Sequence, residues 1–181
     1  SGHELWAREG VDARKTVIVD DAATMVGFIV VEPNGENRIV LAAGALDHLD
    51  AAHVETFRPE IAAADVVVVS MEIPLVAVLA ALQIGREEGT LTLLNPAPAQ
   101  PLPDDAWNLI DVITPNQTEA PILLGMTGTD EELAQALRER TSGSVVLTRG
   151  SAGAIVVDGS GTQTVAARAV EKVVDTTGAG D

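Results

Sequence analysis

The chain has 181 residues, 46% of them apolar, a formal net charge of −16 and no cysteine. The missing thiols exclude a disulfide framework and any thiolate metal site. The acidic balance disfavours nucleic acid and anionic membrane as partners, and it keeps the chain in solution.

Aromatic residues make up only 2%, so the core must be built from Val, Ile, Leu and Ala, as suits buried parallel strands and their helices. The longest apolar runs, ADVVVV and PLVAVLAALQI, are too short to span a bilayer. A cytoplasmic setting, with which the absence of cysteine is compatible, is expected.

In chain order, GHELWAREG reads as the end of a helix, with Leu5 and Trp6 on one face and Gly10 as its cap. TVIVD follows. TMVGFIVVEPNGENRIVLAAG predicts two strands turning at Asn34-Gly35, because both residues tolerate positive φ. Both faces of MVGFIVV are apolar, so this hairpin is expected to pack beyond its own domain, as a lid, a subunit contact or both. ADVVVVS reads as a buried strand and IPLVAVLAALQIGREEG as a helix ending at Gly89. TLTLLN and DVITPN are strands; QTEAPILLG starts a helix that Gly125 ends. TDEELAQALRER carries a capping box, Thr129 with Glu132, and a stripe of Leu133, Ala136 and Leu137. SVVLTRG is again a buried strand, and GAIVVDGSGTQTVAA a hairpin turning at Asp158 to Gly161. This alternation predicts a parallel sheet with helices on both faces.

Ligands of open α/β sheets bind beyond the carboxyl ends of the strands. There the sequence places Ser70-Met71-Glu72, NPAPA, TPNQTEA and TRGSAG, a gathering of acids, amides, hydroxyls and glycines. The chain closes on DTTGAGD. Gly178-Ala179-Gly180 leaves backbone N–H groups open to an anion, and Asp181 beside them can take a proton from an attacking hydroxyl. By composition alone a plain turn explains GAGD equally well. Neither GxxxxGK[ST] nor GxGxxG occurs, which removes the main support for a P-loop or a dinucleotide fold. His3, His48 and His53 lack metal-ligand spacing and read as surface residues; Trp6 and Trp107 read as packing anchors.

DTTGAGD, together with NPAPAQPLPD, ITPNQTEA and VVLTRGSAGA, resembles the signature set of the ribokinase family of sugar kinases, over essentially the whole chain. GENRIVLAAGA and SMEIPL are similar to its ribose-acting members. The resemblance implies a three-layer α/β/α fold with a central, mainly parallel sheet and a small β lid. Residues 16–46 would form part of the lid, often a dimer contact; 1–15 and 47–181 would form the kinase core. It implies ATP-dependent phosphorylation of D-ribose at its primary hydroxyl, or else of deoxyribose, fructose or adenosine.

By the same resemblance Asp181 would be the catalytic base, with Gly178, Ala179 and Gly180 as the anion hole. Glu72 would hold a sugar hydroxyl. Asn116 would contact the nucleotide phosphates; Thr148, Arg149, Gly150, Ser151, Ala152 and Gly153 would cradle the nucleotide, with Gly180 also reaching it. Glu119 would place Mg2+ through water, and Asp175 and Thr177 would supply part of a K+ site. Taken without the family, Glu72 is a solvated acid at a helix start, 116–119 a helix cap and 148–153 a tight turn. The family's opening strand with its Gly-rich sugar loop, and the helix after the catalytic Asp, have no counterpart in these residues. The expectation is a fragment of low or no activity by itself. A non-catalytic binding chain on the same fold is the alternative of another class.

Overall fold

A computed structural model of the chain describes residues 2–13, 15–31 and 37–169. Helix α1 (Gly2–Arg8) opens it, and Gly10 follows in the left-handed region at φ 72°. Strands β1 (Val26–Val31) and β2 (Asn37–Ala42) pair antiparallel as a separate two-stranded sheet. The register sets Phe28 against Val40 and Ile29 against Ile39. The Asn34-Gly35 turn lies outside the described residues.

Two short helices that the sequence reading leaves unassigned come next, α2 (Ala51–Glu55) and α3 (Arg58–Ala62). At five residues each they are too short to show a period. Their local signals are the Asp50 cap, which accepts from the His53 N–H, and Pro59 in the first turn of α3.

The main sheet has six strands in sequential order: β3 (Val66–Ser70), β4 (Leu91–Asn95), β5 (Val112–Ile113), β6 (Ser144–Thr148), β7 (Ala154–Asp158) and β8 (Gly161–Val165). β3 to β6 run parallel, and the β7–β8 hairpin adds antiparallel. Helix α4 (Leu75–Glu88) connects β3 to β4; α5 (Glu119–Leu124) and α6 (Asp130–Arg140) connect β5 to β6. Gly89 and Gly125 end α4 and α5 at φ 76° and 65°, as their sequence positions require. The capping box of α6 is formed on both sides.

Register places Val69, Leu94, Ile113, Val145 and Val157 on one face of the sheet. All five are buried. Helix α4 lies on that face so closely that a Cβ on Gly85 would sit 2.6 Å from Thr92 Cγ2 and 2.9 Å from Val67 Cγ1. The other face is less covered. Val66 and Val68 of the edge strand β3 are 43% and 67% exposed, so ADVVVVS is buried on one side only among the described residues. The expectation of a buried strand is met on the face that α4 covers and not on the other. β-branched runs specify a strand, but burial on its second face depends on what packs against it.

The β1–β2 sheet is open on both faces: Phe28, Ile29, Val30, Ile39 and Val40 are all exposed. TVIVD forms no strand. Among the described residues no helix is long and apolar enough to cross a membrane.

Candidate active site

Because β3 to β6 are parallel, the segments that follow them share one edge of the sheet. At the end of β5, Thr114 N–H donates to the Leu94 carbonyl at 3.0 Å, which keeps the chain on the sheet up to Pro115. Asn116 then closes a tight ring with Glu119. Its side-chain oxygen accepts from Thr118 N–H (2.8 Å), Thr118 Oγ1 (2.8 Å) and Glu119 N–H (2.9 Å). In return, Asn116 N–H and Nδ2 each donate to one Glu119 carboxylate oxygen at 2.8 Å. The cap predicted for this stretch is therefore present, and Asn116 keeps one amide hydrogen for another acceptor. Burial pushes the Glu119 carboxyl above its ordinary range, against the lowering effect of the Asn116 N–H. A hard, oxygen-only group of this kind suits Mg2+ held through water. Bound Mg2+ would also favour the charged form that burial disfavours.

The loop after β6 lies directly beside this ring. Thr148 N–H donates to the Pro115 carbonyl at 2.9 Å, and Asn116 and Thr148 form a parallel bridge. Residues 150–152 make a single 3-10 turn, closed by Arg149 N–H on the Gly153 carbonyl at 2.7 Å. Gly153 has φ 88°, and a Cβ there would lie 1.9 Å from the Val165 carbonyl oxygen. No other residue fits this loop, which the β8 end packs against.

Arg149 is the single cationic residue of segments 70–72, 95–99, 114–119 and 148–153. Its side chain is mostly buried, 14% exposed, and Nη1 lies 3.6 Å from Glu131 Oε1. Nη2 donates to the Ala152 carbonyl at 3.4 Å, and Nε is buried with no partner. In a chain of net charge −16 this is a local positive group with donor capacity to spare.

Glu72 follows β3, exposed, with the buried Met71 anchoring the turn behind it. Among the described residues its carboxylate makes no ion pair. The structure thus brings together Asn116, Glu119, Thr148, Arg149, Gly150, Ser151, Ala152 and Gly153, and sets Glu72 on the same edge. Asp175, Thr177, Gly178, Ala179, Gly180 and Asp181 lie outside the described residues. Sequence reasoning missed Gln117, Asp130 and Glu131, which hold the two loops from the side. Their partners are 13 and 18 residues away, and no local pattern marks such pairs. Among the described residues no three acidic or histidine side chains cluster as metal ligands. Mg2+ in phosphoryl-transfer sites usually keeps several waters and needs no such cluster.

The assembled edge offers an oxygen ligand, an amide cap, a cation and a glycine-rich turn, the groups that a nucleotide phosphate and its metal require. Comparison with known proteins gives the family. A ribokinase of Haemophilus influenzae is 38% identical over 97% of this chain, which spans 58% of that relative's length. Among solved structures, ribokinase from Thermotoga maritima superposes with a TM-score of 0.82 at 25% identity, over 98% of this chain and 58% of the other. Arabidopsis thaliana ribokinase complexed with ribose and ATP has the same fold, at a TM-score of 0.76 and 24% identity, over 99% of this chain and 62% of that one. Residues 3–181 match the family described as pfkB family carbohydrate kinase, and the chain belongs to that family.

Proposed function

We propose that this chain carries most of the phosphoryl-transfer site of an ATP-dependent sugar kinase that converts D-ribose and ATP to D-ribose 5-phosphate and ADP. The observation that carries the reading is the junction of two loops, 116–119 and 148–153, joined at Thr148 and Pro115 in a chain 38% identical to a ribokinase. The sugar's primary hydroxyl gives its proton to the Asp181 carboxylate as its oxygen attacks the γ-phosphorus. The bond from that phosphorus to the bridging oxygen breaks, and ADP leaves with the electron pair. Backbone N–H groups of Gly178, Ala179 and Gly180 receive the charge that develops on the phosphoryl oxygens; such donors are typically worth ~3–4 kcal/mol each.

Glu72 holds a sugar hydroxyl. Asn116 and the 148–153 loop hold the nucleotide. Glu119 would hold Mg2+ through water, and the ion would offset phosphate charge as the hydroxyl oxygen approaches. Asp175 and Thr177 would contribute oxygens to K+. The exposed β1–β2 sheet supports residues 16–46 as a lid and homodimer contact, with 1–15 and 47–181 as core. The work is done in the cytoplasm.

The test is Asp181→Asn in the full-length protein, assayed for ribose-dependent ADP release. General-base catalysis contributes about 10²–10⁴-fold, so kcat should fall at least a hundredfold while ribose still binds. Undiminished turnover would overturn the reading. A panel of ribose, deoxyribose, fructose and adenosine assigns the acceptor, and a preference other than ribose replaces the substrate named here.

A further inference from the structure

The first two residues of α6 each hold a different loop of the site. Asp130 Oδ2 accepts from Gln117 Nε2 at 2.8 Å. Glu131 Oε1 pairs with Arg149 Nη1 at 3.6 Å. The loops themselves are joined through Thr148 N–H and the Pro115 carbonyl. Three links therefore close a ring through the 116–119 loop, the start of α6 and the 148–153 loop.

The start of α6 is a firm anchor for such a ring. Its capping box fixes where the helix begins, with Glu132 N–H on Thr129 Oγ1 at 3.2 Å and Thr129 N–H on Glu132 Oε2 at 2.8 Å. Leu133, Ala134 and Leu137 are buried in the core directly behind it. Glu131 also draws Arg149 without using up its donors. At 3.6 Å the pair is an ion contact rather than a hydrogen bond, and Nε stays unpartnered.

We propose that the first turn of α6 is a shared brace, in which Asp130 and Glu131 are positioning residues that hold the two loops in register for a nucleotide's phosphates. The proposal rests on the reading of these loops as the nucleotide site. Exposed pairs are individually weak. Their joint effect is geometric, because a phosphate site tolerates little displacement of its donors.

Amide exchange in the full-length protein without nucleotide tests the brace by itself. Asp130→Ala should speed exchange severalfold in both 116–119 and 148–153, and so should Glu131→Ala, although each residue touches only one loop. Asp130→Asn, which keeps an acceptor for Gln117, should restore the wild-type rates. With ATP, the double alanine variant should raise KM for ATP three- to tenfold and leave kcat within twofold. Loosening confined to the loop that was touched overturns the brace, and so does loosening that spreads through 133–140, since that reports helix stability alone. Failure of ATP to protect either loop in the wild type overturns the nucleotide reading separately, because the first measurement contains no nucleotide.

Discussion

Glu119 stands between opposed demands. Burial disfavours its charge, while the Asn116 N–H favours it, and burial prevails. Its carboxyl should titrate above the ordinary range by NMR. The consequence for stability follows from the sign. A carboxyl with a raised folded-state pKa costs stability when charged, so the cost is full at neutral pH. It is relieved as pH falls through the folded value toward the unfolded one. Asp50 behaves oppositely: the His53 N–H and ring hold its carboxyl low, so its contribution is lost on acidification. Titration of Glu119 in the ordinary range would mean that the ring is wetter than its hydrogen bonds imply. Gly153 is the other residue with no freedom. Gly153→Ala should cost about 1–3 kcal/mol for the backbone conformation alone, before the clash with the Val165 carbonyl, and thermal melting should register it as a clear loss.

At the level of elements, the position of α6 depends on its cap. Thr129→Ala removes the acceptor for the Glu132 N–H and should cost about 1 kcal/mol. For a chain of this size that corresponds to roughly 2–4 °C in Tm. Gly85 in α4 poses a contest of magnitudes. Alanine gains about 1 kcal/mol in helix propensity. It also drives a methyl to 2.6 Å from Thr92 Cγ2, and overpacking of that kind costs about 1–3 kcal/mol. Thr92 has little room to yield: it is fully buried, its hydroxyl lies 2.6 Å from the Leu109 carbonyl, and its N–H donates to Asp111 Oδ2 at 2.9 Å. Gly85→Ala should therefore lower the denaturation midpoint, and a stabilised variant would show that α4 can lift from the sheet at small cost.

For the whole molecule, charge and apolar surface oppose each other. The β1–β2 sheet exposes Phe28 and Val40 on one face and Ile29 and Ile39 on the other, while a net charge of −16 keeps copies apart. Salt screens that repulsion, with a Debye length near ~10 Å at 0.1 M. Sedimentation should therefore show association that strengthens with ionic strength, and Phe28→Asp should abolish it. If Val68→Lys dissociates the assembly and Phe28→Asp does not, the contact lies on the open face of the main sheet rather than on the hairpin.

Residue order alone determined the alternation of strands and helices from Val66 to Thr148, the ends of α4 and α5 at Gly89 and Gly125, the capping box of α6 and the loops that meet at one edge. All of these rest on local periodicity and backbone preference, which act within a few residues. Tertiary structure decided three things. It left one side of ADVVVVS exposed, since a β-branched run specifies a strand but not what covers each face. It also formed α2 and α3 from segments too short to carry a period, and it tied Gln117 and Arg149 to the start of α6. Each of these depends on which surfaces meet, and contacts between residues far apart in the chain leave no spacing to read.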